Sequence, residues 1–392
     1  MDQEVSSMIV ARDQFLSWNM ISARQSDWTD STSVAARYSF FQARNAIYHS
    51  LGLLGIEPGA RVLAPSYICR AAIDPLIAYG VEVDFYPVTR DCSIDIRDLE
   101  GRIKPGTAAV LIVHYFGFPQ PLLDLRRVCD AHGLALIEDC AHVLSGEVEG
   151  KSLGTIGDAA VFSWRKFLPI YDGAELVINR PVRQAAIQWT SEGGLFTLKV
   201  AANMLDASLG RTNQPLLKVA YRGIRAGEVM FRKCANWHLR KSPMMQAETT
   251  TSVFDMQCVN WPMSRLSRWT RRHSNIGSII AARRRNYETL LEELSSMKHV
   301  RPLFSRLPST ICPWVFPVLF ADLTDAHVSL RRWGIPAVTW GGVRHPQTGP
   351  GKFTDTDFLY ENLVFLPVHQ CLRDRDVVNI VRTAKELYVR RN

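Results

Sequence analysis

The sequence predicts an α/β protein: a large, mostly parallel sheet with helices on both faces, followed by a smaller C-terminal α/β unit. Three observations carry this. Strand-like and helix-like segments alternate from residue 44 to 139. Two strand-like segments, AAVLIVHYF (108–116) and LALIED (134–139), are nearly continuous apolar runs, as strands covered on both faces are. The alternation resumes after residue 275. Parallel neighbours need crossover connections, so this rhythm implies a parallel sheet clothed by helices.

The elements follow in order. RNAIYHSLGLLGI (44–56) has the apolar spacing of a helix, and Glu57-Pro58-Gly59 ends it in a turn. RVLAPS (61–66) reads as a strand, AAIDPLIAYG (71–80) as a helix around Pro75, and VEVDFYPV (81–88) as a strand. IDIRDLEGRI (94–103) is a short helix, and LLDLRRVCDAHG (122–133) an amphipathic helix closed by Gly133. DAAVFSW (158–164) and AELVIN (174–179) are two more strands. The basic, aromatic region 184–250 loses the rhythm and reads as an insertion or a dimer-contact region. A long amphipathic helix near 275–297, a strand at 314–322 and a helix at 326–335 complete the pattern. The expected organisation is an N-terminal arm (1–36), a large unit (37–250) containing the insertion, and a small unit (251–392).

Composition bounds the class. A chain of 392 residues is too long for one simple core and suits two domains. No run reaches the roughly 18 consecutive apolar residues that span a membrane, and the first residues do not read as a signal peptide. Eight cysteines are scattered without a C-x-x-C pair, which argues against a structural zinc site or a disulfide framework and for a reducing cytoplasm. The net charge of +8 is concentrated. Residues 211–241 hold eight Lys/Arg against one acid, and 265–285 hold seven against none. Such clusters suit a phosphorylated substrate, a membrane surface or nucleic acid, or simply a solvated face with dimer contacts.

Ligands of open α/β sheets bind beyond the carboxyl ends of the strands. Ser66, Asp139 and Ser163 fall at such ends. Lys166 follows Ser163 by three positions, and a helix starts near Ala43-Arg44-Asn45. An amine, a carboxylate and a helix N-terminus are what pyridoxal 5'-phosphate (PLP) chemistry needs. The amine forms a Schiff base with the cofactor aldehyde. The carboxylate keeps the pyridine nitrogen protonated, and helix N–H groups with a hydroxyl hold the phosphate. Taken alone, Lys166 beside Arg165 reads as a solvated basic pair, so the specificity lies in the combination.

From about residue 37 onward the chain resembles the DegT/DnrJ/EryC1/StrS sugar aminotransferases, fold-type I PLP enzymes. The motifs are Pro58-Gly59, Val62 to Tyr67, His114-Tyr115-Phe116-Gly117, Ile137-Glu138-Asp139-Cys140-Ala141-His142, Gly150-Lys151 through Gly157-Asp158, Phe162-Ser163, Lys166 to Pro169 with Asp172-Gly173-Ala174, and Leu366 to Gln370. The resemblance implies that Lys166 is the Schiff-base lysine and that Asp139 pairs with the pyridine nitrogen. It places His142 near the phenolic oxygen or ring, and Ser163 with the backbone of Arg44 and Asn45 at the phosphate. Cys69 stands where the family often has an aromatic stacked on the cofactor, a role open to Tyr67 or a partner-subunit residue. The Ser163-to-Lys166 spacing is shorter than in most members, Arg44 replaces a small residue, and the G-x-N-x-R motif is not recognisable around 255–275.

The implied activity is transfer of an amino group from an amino-acid donor, such as glutamate, to a keto-sugar, commonly nucleotide-linked. The setting would be amino-sugar, polysaccharide or secondary-metabolite biosynthesis. The alternatives are a sugar dehydratase, whose branch of the family has His where Lys166 stands, and a PLP-fold protein reused for binding or regulation. The implied partners are the small-molecule donor and acceptor and a second copy in a homodimer with shared active sites. Nucleic acid is not expected, no metal is implied, and a peripheral membrane contact is left open by the basic stretches. His114, Asp172, His369 and Trp340-Gly341-Gly342 with Arg344 and His345 each have a structural reading beside a functional one.

Overall fold

The computed structural model describes residues 34–181, 187–190, 254–323, 325–340 and 344–389, with Val10, Gln14, Met20 and Ile21. Apart from 187–190, the expected insertion at 184–250, with its basic stretch 211–241, lies outside the described residues. The first nine elements alternate largely as the sequence predicts. They are β1 (Ala36–Phe40), α1 (Ala43–Leu53), β2 (Arg61–Pro65), α2 (Arg70–Tyr79), β3 (Glu82–Tyr86), α3 (Ile96–Gly101), β4 (Thr107–Val113), α4 (Leu122–Ala131) and β5 (Ala135–Cys140). A two-stranded hairpin, β6 (Glu147–Val148) and β7 (Lys151–Ser152), precedes β8 (Ala159–Ser163) and β9 (Ala174–Ile178).

Seven strands form one sheet in the order β1-β9-β8-β5-β4-β2-β3. The pairs β2–β3, β2–β4, β4–β5 and β5–β8 are parallel, while β9 runs antiparallel to both β8 and β1. All six residues of β5 and all five of β8 and β9 are buried, which explains their unbroken apolar character. The edge strand β1 has no strong apolar run and was not expected.

The second half contains α5 (Arg265–Arg272), α6 (Ile276–Ser295), β10 (Val300–Pro302), β11 (Val315–Phe320), α7 (Ala326–Arg332), α8 (Thr354–Asn362), β12 (Leu363–Pro367) and α9 (Asp374–Val389). Its three strands form an antiparallel sheet, β10-β11-β12. Residues 254–264 attach to the first sheet instead: Phe41 N donates to Trp261 O (3.0 Å) and Met263 N to Ser39 O (3.1 Å).

The apolar run 108–116 departs from its expected form. The strand stops at Val113, and the chain turns through His114–Gly117, with φ of +59° at Phe116 and +97° at Gly117. The turn stays apolar because it is buried under the second sheet. Phe116 packs on Phe365 (5.0 Å between ring centroids), and Trp314 N donates to Phe116 O (2.9 Å). A Cβ at Gly117 would lie 2.6 Å from Cys312 O, so this close approach requires glycine. Ser66 Oγ meets Thr356 Oγ1 (2.5 Å), and Tyr360 Oη donates to Ile68 O (2.6 Å). The smaller sheet is thus fastened across the carboxyl ends of the larger sheet's strands.

Candidate active site

Beyond β8 the chain makes one 3-10 turn, Trp164–Lys166, with Ser163 at its N-cap. Ser163 itself is extended, and the turn sets Lys166 one short turn past the strand end. Lys166 Nζ lies 4.6 Å from the centroid of the Trp314 ring. Lys166 is half-buried. Burial draws its amine down from 10.5 to about 8; Arg165 pushes the same way, while Cys69 and Asp139 oppose.

Asp139, buried near the end of β5, accepts from Ala141 N at Oδ1 (2.9 Å). Burial raises its carboxyl pKa, and Lys166, the Ala141 N–H and His114 counter that rise. Cys69 is the N-cap of α2. Burial raises its thiol pKa, Asp139 adds to the rise, and Lys166, an Ala72 N–H and Arg44 oppose it. Arg44, at the start of α1, has its guanidinium pKa lowered by burial and by Arg165. Lys166, Asp139 and Arg44 thus all act on the Cys69 thiol, and Lys166 and Asp139 act on each other.

His142 is buried two residues beyond β5, stacked on Trp314 (4.0 Å, 17°) and on Phe116 (5.9 Å, 7°). Burial, then the Lys166 charge, pushes its pKa well below the ordinary histidine value. Its Nδ1 accepts from Phe116 N (3.3 Å), so the neutral ring carries its proton on Nε2.

α1 begins at Ala43, and its N-cap residue Gln42 makes no side-chain capping bond. Asn45 N donates to Gln42 O (3.1 Å). The Asn45 side chain donates to Cys258 O and to Val259 O (3.2 Å). Ser163 is buried at the strand end.

Several other sequence candidates have their side chains engaged in structural bonds. His114 Nε2 meets Glu138 Oε2 (2.9 Å), both fully buried. Glu138 also accepts from the backbone N–H of Gly154 (2.8 Å), Ile156 (3.0 Å) and Gly157 (2.5 Å), pinning the loop behind the site. Cys140 lies beside this pair, and the three ligand atoms fall within 4.8 Å of one another. The Glu138 carboxylate is already committed to those bonds, which argues against a metal there. Asp172 accepts from Ser264 N (2.6 Å), Ser264 Oγ (2.8 Å) and Ser267 Oγ (2.5 Å), tying the loop after Lys166 to the start of α5. Arg344 pairs with Asp357, and its backbone bridges Cys69. Trp340 joins the aromatic cluster around His142 (5.3 Å); Gly341 and Gly342 lie outside the described residues. In the basic stretch 265–285, Arg271 pairs with buried Glu175, Arg283 is itself buried, and Arg284 donates to Pro308 O and Ile311 O (2.6 Å each). Part of that charge is internal structure, not a surface for an anionic partner.

The sequence reading missed Trp314, the aromatic nearest the amine. A tryptophan opening an apolar strand reads as core. Tyr67, the substitute considered for the missing aromatic, is fully buried against Tyr115, Trp340 and Tyr360.

A half-buried lysine just past β8 and a buried aspartate near the end of β5 define an α/β protein with a lysine and a carboxylate at the carboxyl ends of neighbouring parallel strands. Residues 38–194 match the DegT/DnrJ/EryC1/StrS aminotransferase family, which bears out the sequence resemblance over that stretch. Over 140 residues the chain is 31% identical to GDP-perosamine synthase of Vibrio cholerae, covering 35% of this chain and 38% of that protein. Over 151 residues it is 28% identical to UDP-N-acetyl-3-dehydro-alpha-D-glucosamine 3-aminotransferase of Acidithiobacillus ferrooxidans, covering 38% and 41%. The chain thus aligns with about two fifths of the length of these curated relatives. The fold match is longer. Helicobacter pylori PseC, an aminotransferase involved in the biosynthesis of pseudoaminic acid, superimposes with a TM-score of 0.64 at 18% identity, over 91% of this chain and 88% of that one. The chain shares its fold with that structure.

Proposed function

We propose that this protein is a PLP-dependent aminotransferase that moves an amino group from an amino-acid donor, such as glutamate, to a keto-sugar, one linked to a nucleotide. The observation that carries the reading is the placement of Lys166 and buried Asp139 at the carboxyl ends of the paired parallel strands β8 and β5, with the Lys166 amine over the Trp314 ring. Both curated relatives above carry a nucleotide-linked sugar in their names.

The donor set fits pyridoxal 5'-phosphate. Lys166 would hold the aldehyde carbon and Asp139 the pyridine nitrogen. His142, with its proton on Nε2, would donate to the phenolic oxygen. The α1 N-terminus without a side-chain cap, Ser163 and Arg44 would hold the phosphate, with Asn45 bracing the helix start through the 258–259 carbonyls. Cys69 would lie against the ring. When bound, the cofactor supplies an electron sink for charge developing at the substrate carbon.

The rest falls to the chain's own side chains. An amine near 8 is partly neutral at neutral pH, so Lys166 Nζ would be available to hold the aldehyde carbon and, when not so engaged, to take and return a proton. Asp139 would face the pyridine nitrogen, its ionised form favoured by Lys166 and the Ala141 N–H against the effect of burial. Trp314 and Phe116 cover the His142 ring and keep it dry and neutral. We further propose a homodimer with shared sites, a reducing cytoplasmic setting suited to the seven free cysteines among the described residues, and a division into arm, large unit and small unit in which 254–264 go with the large unit.

A screen of amino donors against the PLP-loaded protein tests the reading. At least one amino acid should convert the bound cofactor's absorbance, and a keto-sugar nucleotide should restore it. A loaded protein whose spectrum answers to no donor contradicts transamination.

A further inference from the structure

The turn that carries Lys166 is held from outside itself at four consecutive carbonyls. Gln14 Nε2 donates to Arg165 O (2.7 Å) and Leu168 O (3.1 Å). Arg283 Nη2 donates to Lys166 O (3.2 Å), and Gln370 Nε2 to Phe167 O (2.7 Å). Arg283 and Gln370 act as one unit, because Arg283 Nε donates to Gln370 Oε1 (2.9 Å). Arg283 Nη1 also donates to Trp314 O (3.0 Å), and its guanidinium lies 4.8 Å from the Phe167 ring centroid. One buried guanidinium therefore grips the backbone of both Lys166 and the tryptophan over which its amine sits. A buried cation is a poor means of stabilising a fold, since an apolar side chain of similar volume is often as good. What the planar fork adds is several fixed directions at once.

We propose that Arg283 and Gln370, assisted by Gln14, are the positioning residues of Lys166, fixing the lysine turn and Trp314 together so that the amine keeps one place over the indole. The functional meaning rests on Lys166 being the cofactor-bearing residue; the positioning itself does not. The groups that face the amine are Asp139 from β5, His142 beyond it, Cys69 ahead of α2 and Arg165 on its own turn, with Arg44 of α1 behind Cys69. The test variants leave all of them in place, so a changed Lys166 titration reports a displaced amine.

The test is trace acetylation of the full-length chain across pH, reading the Lys166 peptide by mass spectrometry, with thermal unfolding in parallel. Arg283→Lys keeps the charge but cannot span the same acceptors. In R283K and Q370A the amine gains water, and its titration should move up by about one pH unit. Gln14→Ala should move it the same way by less. Tyr287→Phe, buried on the same helix, should leave it unchanged. Folded R283K and Q370A chains in which Lys166 titrates as in the wild type would overturn the proposal and leave the contacts as staples of the fold. If R283K does not fold, Q370A and Q14A decide the matter. A wild-type chain that takes up no PLP sinks the cofactor reading alone, because the titration is measured without it.

Discussion

The Lys166 amine links site and stability through one proton. In the folded chain it titrates at about 8, against an ordinary value of 10.5. Between those values the unfolded chain binds the proton more fully than the folded one. The folded state therefore gains stability as pH rises through that window, and below about 8 it bears the whole cost of an enclosed charge. Lys166→Met, studied without added cofactor, should melt at a higher temperature than the wild type at neutral pH. The gap should close as pH rises from about 8 towards 10.5; equal melting temperatures at neutral pH would contradict an enclosed charge. Lys166, Asp139 and His142 were legible in the sequence because their order and strand-end positions carry information. Arg283 was not: in a run of three arginines it reads as solvated. Only the fold reveals that Arg283 alone of the three is fully buried, while Arg284 reaches the 308–311 loop.

At the scale of elements, the turn after β4 and the loop after β8 do most to shape the pocket. The sequence marks the second as a loop between two strands, but the first only as the continuation of an apolar run. Hydrophobic periodicity cannot separate a strand from a buried turn, so 108–116 reads as one strand although its last residues form the seat of the second sheet. Gly117→Ala would force a side chain into a left-handed backbone and against Cys312 O. It should cost about 3 kcal/mol, measured by chemical denaturation. A loss within experimental error would show that the two sheets do not meet at this turn. The loop after Lys166 is anchored differently, by Asp172 on the start of α5. That contact joins residues about ninety apart, which is why the sequence left a substrate role and a capping role for Asp172 open together.

At the scale of the molecule, the parallel core was the most legible part, since four parallel pairings follow from repeated strand–helix alternation. The antiparallel β9 and the edge strand β1 were not, because a loop of undefined geometry leaves strand direction undetermined. The charge pattern was legible in number only; whether an arginine faces solvent or a buried glutamate is decided by packing, as Arg271 and Glu175 show. Two sheets meet over the strand ends, and the chain sends Gln14, Arg283 and Gln370 from three distant segments to the turn that bears the amine. The claim at the centre of this arrangement is that Lys166 carries the cofactor. Borohydride reduction of the PLP-treated protein, followed by peptide mass mapping, measures it directly. The account predicts a phosphopyridoxyl group on the peptide containing Lys166; the group on a different lysine, or on none, would contradict it.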